Sequence, residues 1–186
     1  MLTYISILRG INVSGQKLIK MADLQKTYEK LGFGNITTYV QSGNVVFTGK
    51  KAAPEKLASA ITQQIAKDFG FQVPVIVFGI HTLKQIIASN PFINDSEKDI
   101  AYLHVTFLSA HPPKFVVKAI EEKKQTEEAI AFTNAAVYLY CPNGYGKTRL
   151  TNSFLESKLQ VTATTRNWKT TNELVRMAEQ ITLLKE

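Results

Sequence analysis

Apolar and polar positions along this chain recur with two alternating periods, one suited to strands and one to helices. Thr3 to Leu8 is a short β-rich run and predicts a strand that ends at Arg9. Leu24, Tyr28 and Leu31 then fall at helical spacing, and Gly32 stands where a helix can end in the left-handed conformation. Ile36 to Val40 and Val45 to Thr48 are dense in Ile, Thr, Tyr, Val and Phe and predict two further strands. Between them lies Gln41-Ser-Gly-Asn44, whose Ser-Gly centre predicts a tight hairpin. Pro54 opens a helix with Leu57, Ile61 and Ile65 inward, and Gly70 closes it. Val73 to Phe78 is the fourth strand, and Pro74 near its start assigns it to a sheet edge.

The order is β-α-β-β-α-β, the ferredoxin-like plan of two helices on one face of an antiparallel sheet. If the first strand runs up, its helix runs down, the second strand runs up and the third returns. The Arg9 loop and the Ser42-Gly43 hairpin therefore belong at one end of the sheet. In the usual strand order the first and third strands are neighbours, which gathers Arg9, Asn12, Gln41 and Asn44. The competing reading is purely local: Asn and Gly are the ordinary residues of turns and caps.

Thr82 to Ser89 predicts a short helix stopped at Asn90-Pro91, and the polar stretch to Asp99 reads as a linker. The pattern then restarts. Ala101 to Leu108 predicts a strand, and Pro112-Pro113 opens a helix with Phe115, Val116, Ala119 and Ile120 on one face. Ala129 to Thr133 and Val137 to Cys141 form a hairpin across Asn134-Ala135. Leu150, Phe154 and Leu155 mark another helix, and Gln160 to Thr165 a last strand. A terminal helix is predicted from about Thr171 to Leu184, with Thr170-Thr-Asn-Glu173 as a capping box. The expected architecture is α+β: two ferredoxin-like halves with antiparallel sheets plus a C-terminal helix. The halves span 1–80 and 101–166, joined by a short helix and linker at 81–100, with 167–186 as the terminal helix.

Charge changes this picture. The chain of 186 residues has 22 Lys and Arg against 15 Asp and Glu, a net +7, which favours anionic partners such as nucleic acid or phosphorylated metabolites. Lysines that only keep the surface soluble are the plainer explanation. The single cysteine, Cys141, permits no internal disulfide, and no basic region precedes an apolar core at the start. No apolar run approaches a membrane span, so a cytoplasmic protein without membrane association is expected.

Two stretches of the second half carry candidate chemistry. Pro142-Asn-Gly-Tyr-Gly-Lys-Thr148 ends like a phosphate-binding P-loop, but Cys141 stands where the motif requires its first glycine. A nucleotide hydrolase is rejected on the missing parts. A weaker anion nest remains, helped by Lys147 and Arg149. Val161 to Trp168 holds the single tryptophan, flanked by Arg166, Asn167 and Lys169. Strand direction places this stretch beside the Gly144-Gly146 loop, so that Lys147, Arg149 and Arg166 form a basic cluster. The alternative is that Trp168 packs at the core edge and Arg166 pairs with a carboxylate. His81, His104 and His111 lack ligand spacing, so no metal site or cofactor is expected. Cys141 reads as a small buried hydrophobe, and the charged run Glu121 to Glu128 as a solvated helix end.

Four stretches together resemble a known family: Leu8-Arg-Gly-Ile-Asn-Val-Ser-Gly15, Tyr39-Val-Gln-Ser-Gly-Asn-Val-Val-Phe47, Asn90-Pro-Phe92 and Thr164-Thr-Arg-Asn-Trp168. The chain resembles, over nearly its whole length, the uncharacterised bacterial proteins catalogued as a domain of unknown function, DUF1697. The resemblance implies a small cytoplasmic bacterial protein with an α+β fold and no assigned activity. Its pattern carries over to Arg9, Gly10, Asn12, Gly15, Gln41, Ser42, Gly43, Asn44, Arg166, Asn167 and Trp168. Ser14 departs from it, since glycine is usual there.

The candidate ligand-binding residues are therefore Arg9, Asn12, Gln41, Ser42, Asn44, Lys147, Arg166, Asn167 and Trp168. The expected function is binding of a phosphate-bearing anionic ligand, a nucleotide or nucleic acid, through basic Gly/Asn loops. The alternatives are an enzyme acting on a small anionic substrate, for which no general base is legible, and a protein–protein interaction module.

Overall fold

The computed structural model describes residues 1–113 and 117–183. The chain divides into two compact units, one built from Met1–Lys84 with the chain from Glu173 onward, the other from Gln85–Asn172. Phe115, Val116 and Leu184, assigned above to helices, lie outside the described residues.

In the first unit β1 (Leu2–Leu8), α1 (Met21–Lys30), β2 (Gly34–Tyr39), β3 (Asn44–Gly49), α2 (Pro54–Phe69) and β4 (Val75–Gly79) follow in the predicted order. The sheet order is β2-β3-β1-β4, with all neighbours antiparallel, so β4 is an edge strand as Pro74 required. Alternate strand residues Tyr4, Leu8, Val45, Phe47, Val75 and Val77 meet Leu24 and Tyr28 of α1 and Leu57, Ile61 and Ile65 of α2. The residues of α2 recur every four positions, so one helix face carries them all. Each such buried side chain contributes roughly 1.5–3 kcal/mol relative to exposure. Pro54 occupies the first turn of α2, and Gly70 at φ 77° ends it. Inside this core the Tyr28 hydroxyl meets Ser6 Oγ at 2.7 Å, and burial pushes the Tyr28 phenol well above its usual range.

Helix α3 (Ile80–Ala88) follows β4 directly. The second unit then repeats the plan with β5 (Leu103–Leu108), α4 (Val117–Glu121), β6 (Ala129–Phe132), β7 (Ala136–Tyr140), α5 (Asn152–Leu159) and β8 (Ala163–Asn167). Its antiparallel order β6-β7-β5-β8 matches that of the first sheet position for position. Both units are therefore ferredoxin-like. The second core joins Leu108, Val137, Leu139, Cys141 and Ala163 to Ile120, Leu155 and Leu159.

Four local features differ from the sequence expectation. The β2–β3 loop is shifted by one residue, to 40–43, because Asn44 belongs to β3 and pairs with Tyr39. The last strand starts three residues late: Gln160, at φ 57°, is spent on ending α5, and its amide donates to Glu156 O. The terminal helix α6 (Trp168–Leu183) begins directly after β8. Asn167 Oδ1 accepts the Thr170 amide at 2.8 Å, so Asn167 caps the helix and the Thr170 capping box does not form. Its Glu173 instead faces Arg176 Nε at 2.9 Å. Within the charged run, Glu128 is buried, its Oε2 accepting the Gln125 amide at 2.9 Å.

Candidate functional site

One end of the first sheet collects the β1–α1 loop, the β2–β3 loop and the end of α2. Leu8 N donates to Gly43 O at 2.8 Å and Arg9 N to Pro74 O at 3.0 Å, so three connections meet there. The β1–α1 loop folds on itself as a miniature hairpin. Val13 bridges Gln16, and Ser14 and Gly15 between them both have positive φ, 50° and 73°. That is the backbone of a type I′ turn. Ser14 takes the left-handed conformation that glycine would hold at less cost.

Asn12 holds this loop to its surroundings. Its Oδ1 accepts the Ile19 amide at 2.8 Å, while Nδ2 donates to Ile19 O at 2.9 Å and to Gln41 O at 2.8 Å. Asn44, fully buried, donates through Nδ2 to Tyr39 O at 3.1 Å and Ser42 Oγ at 2.8 Å. Gly43 has φ 77°, and a Cβ there would stand 2.6 Å from Leu8 Cβ and 2.9 Å from Ile11 Cδ1.

A groove of about 520 Å³ opens at this end, lined by Asn12, Leu18, Ile19, Lys20, Met21, Asp23, Gln41 and Phe69. Its walls are of two kinds. Leu18, Ile19, Met21 and Phe69 are apolar; Leu18 is 67% exposed and Phe69 stacks on Phe71 with ring centres 6.2 Å apart. Lys20 and Gln41 supply polar groups, and neither the ammonium nor the carboxamide has a partner among the described residues. Asp23, the one acid of the lining, lies 3.4 Å from Lys26 Nζ. Lys20 is also the N-cap residue of α1 and provides no side-chain cap, so the groove meets an uncapped helix start.

Strand direction thus brings Asn12 and Gln41 into one groove wall. Arg9, Ser42 and Asn44 share that end of the sheet without lining the groove. Sequence reasoning missed Leu18, Lys20, Met21 and Phe69. A lysine directly before the first helical residue was the one available signal for Lys20; Phe69 arrives from α2 and had none.

In the second unit the loop after β7 and the end of β8 also share an end, both beside the start of β5. Cys141 N donates to Tyr102 O at 3.0 Å, and His104 is the register partner of Asn167. Tyr145 stacks on His104 with ring centres 5.0 Å apart. The His104 Nδ1 lies 3.0 Å from Tyr102 O, and burial draws its pKa below the ordinary value. Arg166 Nη1 donates to Thr165 O at 3.0 Å; burial pulls its guanidinium down to about 10, with Tyr145 opposing. Asn167 caps α6, Trp168 is its half-buried first residue, and Lys147 is exposed in a single 3₁₀ turn whose carbonyl accepts Gln125 Nε2 at 2.8 Å. Carboxylates enter this loop: Asn143 donates to Glu127 Oε2 at 2.8 Å. Thr148, the last residue of the P-loop-like stretch, turns its hydroxyl to the Leu150 amide at 3.1 Å. Burial, with Glu128 adding to it, pushes the Cys141 thiol up to about 12, the state of an inert core residue.

Among the described residues no three His, Cys, Asp or Glu side chains are grouped to hold a metal, and no helix is long and apolar enough to cross a membrane. Residues 1–138 match the model of a family described as a protein of unknown function (DUF1697). Among solved structures, the conserved bacterial protein SP0830 from Streptococcus pneumoniae is similar. It is 22% identical over 95% of this chain and 98% of its own, with a TM-score of 0.73, a likeness that shows the fold. No curated protein matches.

Proposed function

The chain belongs to this family of unknown function, and we propose that it binds a small phosphate-bearing anion in the groove at the start of α1. The observation that carries this reading is the uncommitted pair Lys20 and Gln41 on the wall of a cavity of about 520 Å³. Small-ligand pockets commonly occupy roughly 300–1,000 Å³, mostly apolar with a few convergent polar groups. Lys20 supplies a point charge, Gln41 a donor and an acceptor, and the uncapped helix start adds partial positive charge. Charge balance favours the same partner: the chain stretches of the first unit hold twelve Lys and Arg against seven Asp and Glu. Asn12 acts by fixing the loop on which Lys20 stands. The lone cysteine, buried and protonated, suits a cytoplasmic protein.

The test is calorimetric titration of the full chain with inorganic phosphate and ribose 5-phosphate at low and moderate salt. Binding that weakens with salt, and at least about tenfold in Lys20→Glu, is expected. Undiminished affinity in Lys20→Glu, or no binding of any phosphate compound, removes the proposal.

A further inference from the structure

Resting on the binding of phosphate at Lys20, we infer that the ligand is a nucleoside phosphate whose base lies against the apolar wall of the same groove. A bare or sugar phosphate uses only part of what lines this cavity. Leu18, Ile19, Met21 and Phe69 would face the polar ring of a sugar, and such a ligand gains little from apolar contact.

Leu18 is the sharpest observation. It is 67% exposed, whereas Ile11 and Ile19 of the same loop are buried; Val13, at the loop's own turn, is 59% exposed but does not line the groove. The loop is not loose at that point, since the Ile19 amide and carbonyl are both bound by Asn12, which fixes the direction in which Leu18 projects. On the same lining Phe69 belongs to a stacked pair with Phe71, ring centres 6.2 Å apart. A flat heterocycle fits such a wall: stacking on an aromatic side chain is worth about 1–3 kcal/mol per base, or roughly five- to 150-fold in affinity. The Gln41 carboxamide, without a partner among the described residues, offers the donor and acceptor that a base edge requires. Lys20 lines the same groove as these apolar residues, so one ligand would meet a cation for its phosphate and an apolar wall for its base.

A free nucleotide and the 5′-phosphorylated end of a strand present the same chemistry here. The experiment compares AMP, ribose 5-phosphate and a short 5′-phosphorylated oligonucleotide on the full chain, in wild type, Leu18→Ser and Phe69→Leu. AMP should bind at least about fivefold more tightly than ribose 5-phosphate. Leu18→Ser, a change at an exposed position, should bring the two together by weakening AMP alone; Phe69→Leu should act in the same direction while keeping the site apolar. An oligonucleotide no tighter than AMP assigns the free nucleotide, and a tighter one assigns the strand end. Equal affinity for AMP and ribose 5-phosphate in wild type, or an AMP preference untouched by Leu18→Ser, overturns this inference and leaves phosphate binding standing. No binding of any of the three removes both.

Discussion

Asn12 Nδ2 donates to the carbonyl oxygen of Gln41 at 2.8 Å, joining two loops 29 residues apart. The same side chain takes both backbone groups of Ile19, so one amide closes the β1–α1 loop and docks it on the β2–β3 loop. Asn12 also sits at φ 54°, a conformation that Asn tolerates better than most residues. Replacing it with Ala leaves the Ile19 and Gln41 groups short of partners and adds left-handed strain. Asn12→Ala should cost about 3 kcal/mol, read as a lowered urea midpoint at constant slope. A loss below about 1 kcal/mol means the loop is held chiefly by other contacts.

Gly43 tests the other side of the same corner. Two separate constraints act there, a φ of 77° and the space taken by Leu8 and Ile11. The Leu8 amide also donates to Gly43 O, so backbone displacement breaks a hydrogen bond of this corner. Gly43→Ala should destabilise by about 3 kcal/mol or more. Gly15→Ala is the control. It shares a positive φ of 73°, but its added Cβ would meet nothing within 4 Å. It should cost only about 1 kcal/mol. Similar losses in the two variants would mean that conformation alone, and not packing, selects glycine at position 43.

The fold was legible because it rests on period and direction. Apolar spacing located Leu57, Ile61 and Ile65 on one face, Pro74 marked an edge strand, and chain direction put Asn12 beside Gln41. What escaped depends on which of two local solutions the chain adopts. Thr170-Thr-Asn-Glu173 is a good capping box, yet Asn167 caps α6 three residues earlier, because β8 runs straight into the helix. Val40 takes a positive φ of 49°, which no propensity for a β-branched residue would suggest; the four-residue loop imposes it. The groove was the least legible feature. Its apolar wall combines Leu18 with Phe69, 51 positions later in the chain, and only packing of the two helices on the sheet unites them.

Acid should act through Asp68. Its carboxylate accepts from Lys30 Nζ at 2.8 Å, Thr27 Oγ1 at 2.8 Å and Gln64 Nε2 at 2.9 Å. These bonds, that of Lys30 foremost, hold its pKa below the ordinary 3.8. A folded pKa below the unfolded one contributes stability that is complete above the unfolded value and disappears as pH falls through the folded value. Asp68→Asn should lower Tm near neutral pH. The gap between the two proteins should then close as pH falls below about 4. A gap independent of pH would show that the charge of Asp68 is not what stabilises the contact between α1 and α2.

Two adjacent threonines of β8 should respond oppositely to the same substitution. Thr165 Oγ1 lies 2.7 Å from Thr106 Oγ1 and donates to Asn152 Oδ1 at 2.7 Å, tying β8 to β5 and to the first turn of α5. Thr164 points to the other sheet face, where it is fully buried and its hydroxyl finds no partner among the described residues. A buried hydroxyl without a partner loses its hydration and recovers nothing, at a cost of about 1–2 kcal/mol. Valine keeps the shape nearly unchanged and suits a strand. Thr164→Val should therefore stabilise by about 1 kcal/mol, a rise in Tm of roughly 2–4 °C. Thr165→Val should destabilise by about 1–2 kcal/mol, since it strands Asn152 and Thr106. Thermal unfolding of the two variants side by side decides it: a loss in both would mean that the Thr164 hydroxyl is hydrogen-bonded in solution, most simply to a buried water.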